Sequence, residues 1–152
     1  MHAIVFIGIP AAGKSSFYKQ RFFNSHVRIS MDLLKTRKRE NQFLKLCFDT
    51  NSQFVVDNTN LTQEEREKYI KLAKDKKYRV TGYFFASSVN AALERNKQRQ
   101  GKDRIPDVGV VSCYKKLVLP SYAEGFDELF YVQLHSEEFT VAAWHEEATG
   151  TG

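Results

Sequence analysis

The chain has 152 residues, 42% of them hydrophobic and 27% charged, with a formal charge of +5 at neutral pH. That balance suits a globular protein of ordinary size and excludes a disordered or fibrous chain, so residues 1–152 are expected to form one domain. No apolar run approaches the ~20 residues of a membrane-spanning helix and no basic-then-apolar signal opens the chain, so a cytoplasmic, intracellular protein without a membrane role is expected.

An apolar run over 4–7 leads into Gly8-Ile9-Pro10-Ala11-Ala12-Gly13-Lys14-Ser15 and then into a helical pattern over 14–23. Strand, loop and helix in this order, at the spacing G-x-x-x-x-G-K-[S/T], make a phosphate-binding element. Its glycines let successive backbone N–H groups turn inward, and the helix presents its positive end. Lys14 is expected to reach the β and γ phosphates of ATP, and the Ser15 hydroxyl to sit on Mg2+, which prefers oxygen ligands and keeps several waters. Gly8, Ala11, Ala12, Gly13, Lys14, Ser15 and Ser16 are the expected nucleotide-binding residues. With each fixed residue type at ~7% usage, the pattern arises by accident in about one chain in a hundred of this length.

A second strand over 27–30 gives way to a helix over 32–48 at Ser30-Met31-Asp32. Asp32 is placed to cap that helix, to accept the proton of an attacking hydroxyl as a phosphoryl group moves across, or to do both. The third strand, over 53–57, closes on Asp57 in the manner of a Walker-B carboxylate that orders the Mg2+ shell, often through water. Asn58-Thr59-Asn60 reads as an Asx turn. Thr62 and Glu65 form a capping box for a helix over 62–76, followed by a strand over 78–85.

A helix over 91–99 places Arg95 and Arg99 one turn apart on one face. With Gln100-Gly101-Lys102-Asp103-Arg104 behind them, they predict a lid that brings guanidinium forks to the triphosphate. Pro106 starts a helix over 107–117, a strand spans 129–134, Trp144 packs the end segment onto the domain, and residues 148–152 fray.

Strands alternating with helices predict an α/β fold, a parallel five-stranded sheet with helices on both faces and ligands at the carboxyl ends of the strands. Cys47 and Cys113 lack zinc-site spacing and read as small buried hydrophobes. The histidines His2, His26, His135 and His145 form no metal-like pair. Positive charge gathers at Lys35, Arg37, Lys38, Arg39 and Lys45, and again at Arg95, Lys97, Arg99, Lys102 and Arg104, which points to polyanionic ligands.

Taken together and in this order, these residues resemble the kinase domain of the polynucleotide kinase family over residues 4–134. The resemblance is carried by GIPAAGKSSF, Ser30-Met31-Asp32, Asp57-Asn58-Thr59-Asn60, Glu94-Arg95-Asn96-Lys97-Gln98-Arg99, and Arg104-Ile105-Pro106 leading to Tyr114-Lys115-Lys116. Pro120 followed by Ala123-Glu124-Gly125-Phe126 adds to it. The loop is common to many phosphate-loop kinases; the Asp-Asn-Thr-Asn, R-N-x-x-R and Ile-Pro segments are more specific.

The resemblance implies an ATP- and Mg2+-dependent P-loop kinase that phosphorylates the 5′-hydroxyl ends of DNA or RNA, as in nucleic acid repair. It implies Lys14, Asp32 and Arg99 as catalytic residues, Arg95 in support, and Ser15 and Asp57 on the metal side. Many relatives have Asn-Arg-Asp where this chain has Ser30-Met31-Asp32, so an acceptor-side arginine is missing; Lys35 or Arg37, a helical turn on, are the substitutes beside Asp32. The chain lacks an Asp-x-Asp phosphatase motif, so repair of 3′ ends would need a separate phosphatase or ligase partner. Without the resemblance two alternatives stay open: a kinase of a small hydroxylated metabolite, and a nucleotide-switched binding module, which would have no need of Asp32.

Overall fold

The computed structural model describes residues 1–146, and the fraying expected over 148–152 lies outside the described residues. The strands are β1 (His2–Ile7), β2 (Val27–Ile29), β3 (Phe54–Val56), β4 (Arg79–Ala86), β5 (Glu128–His135) and β6 (Glu138–Ala143). They form a six-stranded sheet in the order β2-β3-β1-β4-β5-β6, parallel except for the antiparallel β5–β6 pair. The helices are α1 (Lys14–Arg21), α2 (Met31–Leu34), α3 (Arg37–Asp49), α4 (Gln63–Asp75), α5 (Val89–Lys97) and α6 (Asp107–Lys116). Among the described residues no helix is long and apolar enough to cross a membrane.

Successive residues of the central strands feed opposite cores, which is why those strands are continuously apolar. On one face Ala3, Val5, Ile7 and Phe54 pack with Leu44 of α3 and with Tyr69, Ile70 and Ala73 of α4. On the other, Ile4, Phe6, Val55 and Phe85 pack with Phe17 of α1, Ala92 of α5 and Val110 of α6. Phe6, Phe17 and Phe85 meet with ring centroids 4.8 to 5.9 Å apart, and each such burial contributes about 1.5–3 kcal/mol. Trp144 is buried against Phe84, as its apolar character predicts.

These two coverings position the site. The chain leaves β1 for β2 through α1 on one face and reaches β4 from β3 through α4 on the other, so a crevice opens above the carboxyl end of β1. The phosphate-loop sequence lies in that crevice.

Several local expectations are corrected. The sheet has six strands, not five: Ser136, at a φ of 58°, turns β5 back into the exposed edge strand β6. That turn carries no Asn-Gly or Asp-Gly signal. The helix expected over 32–48 is broken, because Lys35 adopts a φ of 72° and the Thr36 side chain caps α3 by accepting from the Arg39 N–H at 3.1 Å. A threonine that bonds the backbone locally competes with a continuing helix. Thr62 caps α4 as expected, but the Glu65 carboxylate accepts from Leu61 rather than from Thr62. Cys47 is buried, whereas Cys113 is only half-buried.

Candidate active site

The loop leaves β1 at Gly8, whose N–H donates to the Thr59 carbonyl at 3.0 Å. A Cβ at Gly8 would lie 3.0 Å from the Phe85 Cβ, so the close approach of β4 requires glycine there. Ala11 and Ala12 turn their methyl groups into the core and lend the loop their backbone. Gly13 adopts a φ of 100°, a left-handed conformation that disfavours any side chain.

Lys14 opens α1 and is 8% exposed; its Nζ donates to the carbonyls of Gly8 at 2.9 Å and Ile9 at 2.7 Å. Burial pushes its ammonium down to about 8, opposed by the negative charges of Asp57 and Asp32 and reinforced by Arg99. Charged groups from three separate segments therefore act on one amine. Ser15 and Ser16 are exposed at the mouth of α1.

Asp57, at the end of β3, is 5% exposed and accepts from the Ser15 hydroxyl at 2.9 Å through Oδ2. These are hard oxygen donors, the kind Mg2+ takes when waters and phosphates complete its shell. Among the described residues no group of three or more His, Cys, Asp or Glu side chains gathers into a closed metal cage. Arg28 of β2 enters the same cluster, its Nε donating to Asp57 Oδ2 at 2.9 Å and its Nη2 to Ser15 Oγ at 3.2 Å. Sequence reasoning missed Arg28; a single cation between Val27 and Ile29 in a short apolar strand was the available signal.

Asp32 lies in the first turn of α2, and Ser30, not Asp32, is the N-cap residue. The Asp32 side chain is exposed, and no hydrogen bond or ion pair among the described residues holds it. The backbone just before it is held instead. Asn58 Oδ1 accepts from the Met31 N–H at 2.9 Å, while Asn58 Nδ2 donates to Glu40 Oε2 and Tyr69 Oη, each at 3.3 Å. Glu40 is fully buried and also accepts from Lys68 at 2.8 Å and from Arg37 at 3.1 Å. Glu40, the lone acid of a basic run in the sequence, is thus the anchor of that region. Asn60, at a φ of 46°, donates to the Phe6 carbonyl at 2.7 Å and pins the end of β1. The Asx turn expected over 58–60 is corrected: Asn58 Oδ1 is given to the Met31 N–H and Asn60 Nδ2 to the Phe6 carbonyl, so the segment ties neighbouring strand ends together instead of turning on itself.

The arginine pair is arranged differently from expectation. α5 ends at Lys97, so Arg99 lies beyond it and the two do not share a helical face. Arg95 is half-buried and its Nη1 donates to the Ala11 carbonyl at 3.1 Å, gripping the loop. Arg99 Nη1 donates to the Asp103 carbonyl at 3.3 Å, and its charge reaches Lys14. On the other side Lys35 is exposed, and Arg37 spends Nη1 on Glu40 and on Tyr69 Oη. Beside Arg95 a cleft of about 550 Å³ opens, lined by Ser87, Ser88, Tyr114, Tyr131, Gln133 and other residues of β4, β5 and α6. Its volume is that of a small-molecule site, and no sequence motif announced it.

Comparison with known proteins agrees with this fold. A family model described as an AAA domain matches residues 4–110. The chain is 25% identical over 150 residues to a bifunctional polynucleotide phosphatase/kinase of Schizosaccharomyces pombe, covering 94% of this chain and 37% of that protein. It is 29% identical over 142 residues to a putative bifunctional polynucleotide phosphatase/kinase of Acanthamoeba polyphaga mimivirus, covering 89% and 34%. The chain thus spans about a third of the length of these curated relatives. In fold it is similar to Chaetomium thermophilum Kti12, solved in complex with ADP-AlF3, at a TM-score of 0.66 and 15% identity over 90% of this chain and 91% of that one. With residues 4–110 matched, the chain belongs to the AAA domain family, and it is a P-loop kinase domain.

Proposed function

We propose that the chain transfers the γ-phosphoryl group of ATP to the 5′-hydroxyl end of DNA or RNA. The observation that carries the reading is the loop geometry at one crevice: Lys14 folded onto the Gly8 and Ile9 carbonyls, Ser15 bonded to Asp57 at 2.9 Å, and Arg95 bonded to the Ala11 carbonyl at 3.1 Å. The names of the two curated relatives support the polynucleotide acceptor.

In this reading the triphosphate lies along the loop over residues 8–16, and the nucleoside occupies the cleft beside Arg95. The phosphates draw the Lys14 ammonium off the Gly8 and Ile9 carbonyls and restore its full charge. Arg99 meets the negative charge that develops as the phosphoryl group moves, and Arg95 holds the loop in shape. Asp32, exposed and unpaired, takes the proton of the attacking hydroxyl. Ser15 and Asp57 would hold Mg2+, whose charge offsets that of the phosphates. The exposed Lys35, Lys38 and Arg39 follow Asp32 in the chain and suit a strand's phosphates.

The test is incorporation of labelled phosphate from ATP into matched 5′-hydroxyl DNA and RNA oligonucleotides and a panel of sugars, with the wild type and the Lys14→Ala and Asp32→Ala variants. The oligonucleotide gains label and both variants lose it. Label on a sugar alone makes the chain a metabolite kinase, and tight ATP binding with no labelled acceptor makes it a binding module. For a single-stranded acceptor, each phosphate contact adds about 0.7 to the slope of log affinity against log salt.

A further inference from the structure

Arg28 touches both of the side chains that the proposed site offers to a metal. Its Nε donates to Asp57 Oδ2 at 2.9 Å, its Nη2 donates to Ser15 Oγ at 3.2 Å, and Ser15 donates to the same Oδ2 at 2.9 Å. The three groups form a closed ring from β2, the mouth of α1 and the end of β3. The Arg28 side chain is 28% exposed, so the guanidinium has a route to solvent that the 2% exposed Asp57 side chain lacks.

A hydroxyl oxygen that accepts from a guanidinium presents its electron density to that cation. A divalent ion on the same oxygen would stand within a few ångströms of a second positive charge, and in a partly buried site such repulsion is weakly screened. Serine therefore serves one of the two cations at a time. We propose that Arg28 is a tethered counter-ion that competes with the divalent metal for Ser15 and Asp57. It holds the two oxygens together before the metal arrives, and it must give up its contact with Ser15 when the metal binds.

The consequence is an order of assembly. A bare metal ion has to expel Arg28 against the Asp57 carboxylate. A metal ion that arrives on a triphosphate brings negative charge that offsets the repulsion. Arg28 thereby favours the metal–nucleotide complex over the free ion. The proposal rests on the metal side of the reading given above, and it is independent of which alcohol accepts the phosphate.

Binding of Mn2+ alone, without nucleotide, tests it by electron paramagnetic resonance titration of the wild type and the Arg28→Gln, Arg28→Lys and Asp57→Asn variants. Arg28→Gln, which keeps a polar group near the position of Nε and loses the charge, binds Mn2+ tighter by about 5- to 150-fold, the typical size of a coupling between two bound species. Arg28→Lys, which keeps the charge, stays within a few-fold of the wild type, and Asp57→Asn binds Mn2+ more weakly. Unchanged or weaker binding in Arg28→Gln overturns the counter-ion role while leaving the metal site standing. Unchanged binding in Asp57→Asn removes the metal site and the role of Arg28 with it.

A second measurement uses the wild-type protein alone and so does not depend on how the variants fold. The Arg28 Nε–H resonance in the nitrogen-15 spectrum shifts or broadens as Mn2+ or Mg2+ is added without nucleotide. A resonance that stays fixed at metal saturation overturns the proposal.

Discussion

Two walls of one crevice are built by different means. The loop over residues 8–16 is pinned at four of its residues: Gly8 against β4, the Ala11 carbonyl by Arg95, Lys14 onto two carbonyls, and Ser15 onto Asp57. The opposite wall is α2, a four-residue helix whose one carboxylate, Asp32, is exposed and unbonded among the described residues. The loop can hold a charge pattern in place before a ligand arrives, which suits a group that binds the same triphosphate each time. The free carboxylate is adapted to meet an alcohol that comes from outside. The contrast teaches that rigidity here follows the part of the chemistry that does not vary.

Separating activity from stability at α2 sharpens the comparison most. Asp32→Ala is expected to lower turnover by about 10² to 10⁴ if it is the general base, while the unfolding midpoint stays near that of the wild type because no partner is lost. A loss of only a few-fold in steady-state assays would assign it to local helix structure instead.

Glu40 reverses that pattern. Glu40→Ala strips a buried carboxylate from Tyr69, Asn58, Lys68 and Arg37, and urea unfolding is expected to show a loss of roughly 2–4 kcal/mol. The exposed ends of Lys68 and Arg37 rehydrate, which keeps the loss from being larger. Turnover falls as well, since Asn58 loses the partner that orients it toward the start of α2. Wild-type stability in this variant would show that the network does not anchor that wall.

On the loop side the prediction is a proton. Lys14 titrates at about 8 in the folded chain against 10.5 for a free lysine. Because the folded value is depressed, the burial penalty is present in full below pH 8 and is relieved as pH rises from about 8 to 10.5. Triphosphate binding restores the ammonium, so near pH 8 ATP binding takes up about half a proton, and near pH 6.5 almost none. Calorimetry in two buffers of different ionisation enthalpy reads this directly, and equal uptake at both pH values would contradict it.

The smallest effect lies at the far end of the sheet. His2 and His26 meet edge to face at 5.6 Å, and His2 Nε2 lies 2.6 Å from Thr81 Oγ1. Burial, with the positive charges of His26, Arg79 and the N-terminus, holds His2 down to about 4, and burial also lowers His26. Both are depressed below the unfolded value of 6.5, so stability is lost as pH falls from about 6.5 toward 4. His2→Gln flattens that fall in thermal melts, and activity per folded molecule is unchanged, because this end of the sheet is remote from the crevice.

The phosphate loop was legible in the sequence because its chemistry is local. A glycine spacing, a lysine and a serine within eight residues dictate a backbone shape, and the apolar runs on either side fix strand and helix. Asp57 was legible for the same reason, as a charge closing an apolar strand. The break between α2 and α3 was harder to read, because the Thr36 cap competes with a helical pattern that runs through it. β6 was missed because a short edge strand buries little and its turn carries no strong signal.

What the amino-acid order determined by itself was the alternation of elements, the two-sided core and the phosphate-binding loop. Only the tertiary structure decided that Arg28 meets Ser15 and Asp57, that Glu40 anchors Asn58 and Tyr69, and that Arg95 grips the loop while Arg99 stands beyond the helix. Those pairings join residues as far as 84 positions apart. Burial alone gives such contacts their weight, since a charge removed from water must find its partner wherever the fold brings one.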